Sequence, residues 1–218
     1  MIPDREAVPG IAAGSAGDDA RTGDLRRAVL LSAVSVAWSG AVGLLAAYVA
    51  FATNALSLLG FGVDAVIDAV ASVTLIWRFR IESTQPGRAA AVEKVAERIV
   101  GVALLALGAY LIYGAIAALA AHARPEASSA ALVILAASIV VLPGLARAKF
   151  VVARNLQSGA LRLDSLLTAV AAVLALTSLL SLAAQAVGFA AADAIAALVV
   201  AAIIVREGAA SLLASRSG

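Results

Sequence analysis

Six long apolar stretches run through this chain, at about 29–51, 55–77, 99–121, 128–146, 159–183 and 187–205, with charged and turn-forming residues gathered between them. Each is roughly 18–25 residues long, enough for a helix rising ~1.5 Å per residue to cross ~30 Å of hydrocarbon. The pattern therefore predicts six membrane-spanning helices. Pro143 and Gly144 are expected to interrupt the inner end of the fourth. Ala, Val, Leu, Gly and Ser dominate the spans, and the small residues among them let helices approach closely in lipid.

Composition strengthens this reading. The chain is 63% hydrophobic and 14% charged, with a mean hydropathy of +1.01. A soluble domain of this length could not bury so much apolar surface, so an all-α integral membrane protein is expected. No Cys is present, which excludes disulfides and thiolate metal ligands, and the single His122 leaves little room for imidazole chemistry. The basic residues cluster at span ends, a pattern that does not point to nucleic acid.

Charge also sets an expected orientation. Arg5, Arg21, Arg26 and Arg27 precede the first span; Arg78, Arg80, Arg88, Lys94 and Arg98 follow the second; Arg147, Lys149, Arg154 and Arg162 follow the fourth; Arg206 and Arg216 follow the sixth. Only Arg124 of the 16 Lys and Arg falls on the other side. The positive-inside rule then places both termini in the cytoplasm of a cell that carries the protein in its plasma or inner membrane. Residues 1–25, rich in Gly, Ala and Asp, read as a disordered cytoplasmic tail without the apolar core of a signal peptide. Residues 26–210 form the six-helix domain. Residues 211–218 form a short tail, and no soluble C-terminal domain is expected.

Four of the 14 acidic residues fall inside spans: Asp64, Asp68, Asp164 and Asp193. Asp64 and Asp68 are four residues apart in ALSLLGFGVDAVIDAVASVTLIW, and so share one helical face near the bilayer midplane. A carboxylate at that depth is costly, and two on one face with no Lys or Arg in the span suggest a site that holds a cation. Protonated aspartates bonded to Ser or Thr could act only as helix glue, although one polar residue would serve for that. Asp164 lies one to two turns inside the fifth span. It reads either as a third carboxylate of the same cavity or as an interfacial charge following Arg162. Asp193 reads mainly as an acid near the helix N-terminus at a wet outer interface. Thr168, one turn beyond Asp164, is a possible additional polar group. Asn54, Ser57, Asn155 and Ser158 read as helix caps.

The second-span sequence LLGFGVDAVID resembles that of the cation diffusion facilitator family of divalent-cation/proton antiporters, in its divergent branch with an LLGFG-x-D motif. In the family pattern L-L-A-D-x-x-[HD]-x-x-x-D, Asp64 takes the first ligand position and Asp68 the second, while Phe61 replaces the usual preceding Asp. The sixth span, AADAIAALVV, is similar to the family's A-D-P-x-x-[AG]-[LI], with Ala194 where Pro is common. The resemblance covers about residues 26–210. It implies a transmembrane cation efflux domain, export of a divalent cation such as Zn²⁺, Mn²⁺, Co²⁺, Cd²⁺ or Mg²⁺ in exchange for protons, and a homodimer. The cation is cargo, and no resident cofactor and no enzymatic activity are implied.

One departure from the family is chemical. The fifth-span pattern A-D-x-x-H-x-x-x-D is matched by Asp164 alone, because its His position falls on Leu167 and its last Asp position on Ala171. The oxygen ligands that remain suit hard divalent cations and accept Zn²⁺, Co²⁺ or Cd²⁺ less selectively. No Walker motif supports transport driven by ATP. Two other readings stay open: a degenerate, non-transporting membrane partner of the same fold, for which the lost ligands argue, and an exporter of small organic cations.

Overall fold

The computed structural model describes the backbone over residues 9–53, 57–120, 129–185 and 192–214, and every element there is helical. Six long helices follow one another: α1 Pro9–Thr53, α2 Ser57–Thr84, α3 Ala89–Ala120, α4 Ser129–Leu156, α5 Gly159–Gln185 and α6 Ala192–Ala214. Five contain a stretch long and apolar enough to cross a membrane, namely Asp19–Leu45, Pro86–Ala120, Leu132–Leu156, Gly159–Leu180 and Ala194–Ala214; the described part of α2 is not among them.

The surface is apolar, and several polar side chains are buried alongside an apolar core. The outer surface carries Leu30, Leu44, Val66, Tyr113, Val140 and Leu180, whereas Ser32, Ser35, Ser72, Lys149, Asp164 and Thr168 are buried. Helices that turn apolar residues outward and polar residues inward are stable in lipid, where the outward face needs no hydrogen bonds. The chain is a multi-pass helical membrane protein.

At one end the helices run well past the apolar stretches. α2 continues through Arg78, Arg80 and Glu82 and stops at Gln85, because Pro86 has no N–H to continue the ladder and instead opens a short 3₁₀ turn, Pro86–Arg88. α4 passes Pro143 without stopping, contrary to the expected interruption, and ends only at Leu156. The basic loop expected between the fourth and fifth spans is therefore two residues, Gln157 and Ser158, and Arg147, Lys149, Arg154 and Arg162 all lie on helices. α6 likewise reaches Ala214, so that residues 211–214, expected as tail, are helical, and Ser211 donates to Glu97 at 3.4 Å.

The first helix also begins earlier than the composition suggests. From Pro9 on, the chain expected as a disordered tail is helical, and two of its side chains reach other helices. Arg21 pairs with Glu82, and Asn155 donates to Asp24 at 3.0 Å. Arg78, itself buried, pairs with Glu82 at 2.6 Å and with Glu93. Glu93 in turn accepts from the Ser158 hydroxyl at 2.9 Å and from the Ala160 N–H at 3.0 Å. Ser158 caps α5 by accepting from the Leu161 N–H at 3.1 Å. This charged end thus ties α1, α2, α3, α4 and α5 together. Immediately inside it, Leu75, Phe79, Val152, Leu156 and Leu161 form one buried apolar cluster.

The most extensive packing joins α1 to α2, α3 to α6 and α4 to α5. The α3–α6 seam depends on glycine. A Cβ at Gly208 would lie 3.0 Å from the Gly101 carbonyl oxygen, and one at Gly108 would overlap Val205. Gly108→Val is therefore expected to destabilise the protein by about 1–3 kcal/mol through overpacking. Its melting temperature in detergent should fall below wild type, whereas Gly114→Val, at a position with open space around it, should melt with wild type.

Candidate functional site

Between the helices lies a cavity of about 230 Å³. α1 contributes Ser35, Trp38 and Ser39, α2 contributes Asp68, α3 contributes Tyr110, and α5 contributes Thr168 and Ala171. On α4 and α5 its lining runs from Ile134 to Leu145 and from Thr168 to Ser178, the portions further from the charged end. Along α2, α4 and α5 the apolar cluster around Phe79 lies nearer the charged end than the cavity lining does.

Asp68 is the only acidic residue lining the cavity among the described residues, and it is half-buried. It lies ten residues from Arg78 along α2, hence about 15 Å from the ion pairs of the charged end. The Ser39 hydroxyl donates to its Oδ2. Among the described residues no Lys, Arg or His forms an ion pair with it. Ser35, 1% exposed, also lines the cavity, and its Oγ has no hydrogen-bond partner among the described residues. A buried hydroxyl without a partner costs about 1–3 kcal/mol, and it can supply an oxygen to a ligand or water in the cavity.

Asp164 is in a different state. It is fully buried on α5, and its Oδ2 lies 2.6 Å from Lys149 Nζ on α4. The same ammonium donates to Thr168 Oγ1 at 2.9 Å, and the Thr168 hydroxyl donates to the Asp164 carbonyl at 3.1 Å. Ser72, one turn beyond Asp68 on α2, donates to Asp164 Oδ1 at 3.4 Å. Asp164 Oδ2 is thus held by charge alone, with no hydrogen-bond partner among the described residues, Oδ1 accepts one long contact, and the Thr168 hydroxyl is engaged within the protein.

The α4–α5 turn produces this pairing. Gln157, at φ 52°, takes the left-handed conformation that ends α4, and the Ser158 N–H reaches back to the Ala153 carbonyl at 3.0 Å. Lys149 lies eight residues before Gln157 and Asp164 seven after it, so an antiparallel hairpin with so short a connection sets them side by side. Sequence reading assigned Lys149 to a basic loop. The signal that could have found it is this near-equal spacing about QSG, together with the apolar residues that follow it.

Of the residues singled out in the sequence, the structure brings Asp68, Asp164 and Thr168 into one neighbourhood. Asp64 lies one turn before Asp68 on α2, and Asp193 is the second residue of α6; the side chains of both lie outside the described residues. Ala171 faces the cavity, whereas Leu167 is buried in the apolar core with Ala71, Val100, Leu104 and Ile204. A His at 167 would thus enter the α3–α6 core. Among the described residues no cluster of three or more His, Cys, Asp or Glu forms a ready metal cage. Compared with protein-family models and with curated proteins, the chain finds no match.

Proposed function

We propose that this protein carries a divalent cation across the membrane, in exchange for protons, through a site centred on Asp64 and Asp68. One observation supports the reading most: Asp68 places a carboxylate in a cavity inside an apolar bundle, bonded to Ser39 and paired with no cationic side chain among the described residues. A buried charge without a partner is costly, and a transient cation is the simplest partner it could have. Asp64, one turn away by helical register, supplies the second carboxylate. Exchange for protons belongs to the same reading, through the resemblance to cation/proton antiporters. The sequence resemblance of LLGFGVDAVID to cation efflux proteins points the same way. A homodimer with both termini in the cytoplasm belongs to the same reading. The charged end is then the cytoplasmic end, closed by its ion pairs, and the cavity lies on the external side of that seal.

Uptake into proteoliposomes across a panel of Mg²⁺, Mn²⁺, Co²⁺, Zn²⁺ and Cd²⁺, with and without a pH gradient, tests the proposal. Transport of at least one ion, accelerated by an opposing proton gradient, is expected. Indifference to every ion would refute the reading. The cavity's Trp38 and Tyr110 favour a second reading, in which Asp68 pairs with a small organic ammonium held against aromatic faces. Flux of tetramethylammonium or a similar ion without divalent flux would select it.

Orientation has its own test. A reporter fused after Gly218, and another inserted at Gln85, should both read cytoplasmic, because the basic residues gather at that end. A reporter at Pro125 should read external. Gln85 and Pro125 on the same side would mean that α3 does not cross.

A further inference from the structure

Lys149 is one of only two lysines in the chain, and its side chain is fully buried. A lysine this close to a helix end ordinarily extends its ammonium to the interface. Here it turns inward instead, to Asp164 Oδ2 at 2.6 Å and Thr168 Oγ1 at 2.9 Å. Thr168 lines the cavity and Ala171, on the next turn, does too, so the pair lies directly behind the cavity wall. Ser72 links it to the helix that carries Asp68.

We infer that Lys149 is a specificity-determining residue of the cation site: its ammonium is a built-in cation that occupies Asp164 and leaves the transported ion only the carboxylates of α2. This inference rests on the reading of Asp64 and Asp68 as the cation site. Its physical basis is the state of Asp164, whose charge is already compensated by the Lys149 ammonium 2.6 Å from Oδ2. A divalent ion could recruit it only by displacing a fully buried ammonium from its ion pair, and by breaking the Ser72 contact. The pair is neutral as a unit, so the incoming cation meets the charge of two carboxylates rather than three. A site with that ligand set binds weakly and leaves the ion much of its water, which suits release on each transport cycle.

Removing each member of the pair, then both, separates the possibilities. Mg²⁺ and Zn²⁺ are titrated separately by calorimetry into the full-length protein in detergent, for wild type, K149M, D164N and K149M/D164N. Wild type should bind at least one ion, and binding should be lost in D68N. D164N leaves the ammonium uncompensated beside the cavity and should weaken binding at least tenfold. K149M/D164N restores a neutral environment and should return to within about threefold of wild type. K149M frees a third carboxylate and should bind at least tenfold tighter. Equal loss in D164N and in the double variant would make Asp164 a ligand and overturn the inference. Unchanged affinity in both single variants would make the pair structural only and overturn it also. Absence of binding by wild type would remove the cation site itself and the inference with it. Should the variants fail to fold, the unmodified protein still decides. With ¹³Cε-labelled lysine it gives two signals, from exposed Lys94 and buried Lys149. The Lys149 signal should hold its position through saturation with either ion, and a large shift would show the ammonium evicted.

Discussion

Asp68→Asn is expected to reduce divalent-cation flux to the background of empty liposomes, a loss of at least a hundredfold, while the protein still inserts and remains monodisperse. The substitution keeps the volume of the side chain and a hydrogen-bonding oxygen for Ser39, but removes the charge that faces the cavity. If a cation binds there, the Coulomb attraction lost at contact distance is several kcal/mol at an effective dielectric constant near 20, enough to empty the site at any practical concentration. Asp64→Asn should act similarly, because one carboxylate alone would leave a divalent ion half-compensated. Ser39→Ala is the useful contrast. It removes a hydroxyl that donates to the carboxylate without altering charge, so flux should fall by roughly tenfold or less, in keeping with one hydrogen bond to a charged group. Full flux in purified Asp68→Asn would take that residue out of the site.

The largest effect on stability is expected at Lys149. Lys149→Met leaves the Asp164 carboxylate in a fully buried place with only the 3.4 Å contact to Ser72. Breaking a buried ion pair from one side costs about 3–5 kcal/mol, because the remaining charge has lost its partner and gained no water. Thermal unfolding in detergent should show a much lower midpoint than wild type. The double variant Lys149→Met with Asp164→Asn should recover most of the loss, since it removes both charges from a low-dielectric interior. A Lys149→Met protein as stable as wild type would mean that water reaches Asp164.

Hydropathy along the chain was enough to place six long helices and to single out Asp68, because both follow from local properties of one segment. The span ends were harder. Hydropathy treats Arg78, Glu82, Glu93 and Lys149 as the borders of apolar runs, yet all four lie within helices and join in interhelical ion pairs, Glu82 with Arg21 of α1. Such pairs depend on which helices are neighbours, and no single-segment pattern records that. The tail before Leu25 shows the same limit. Its Gly, Ala and Asp favour disorder in isolation, but Arg21 and Asp24 find partners on α2 and α4. For Asp164 both open readings missed its partner, a lysine that a one-dimensional view places in water.

The two-residue connection between α4 and α5 has a consequence for how this protein tolerates change. Each residue of an α-helix advances the chain by 100° around its axis, through 3.6 residues per turn. With Gln157 and Ser158 as the whole connection, nothing lies between the helices to absorb a change of phase. A single residue inserted after Gln157 would either unwind a turn of α5 or rotate Asp164 away from Lys149 and Thr168 away from the cavity. Insertion scanning should therefore show a sharp loss of folded protein at 157–158, so the short turn acts as the phase lock of the site.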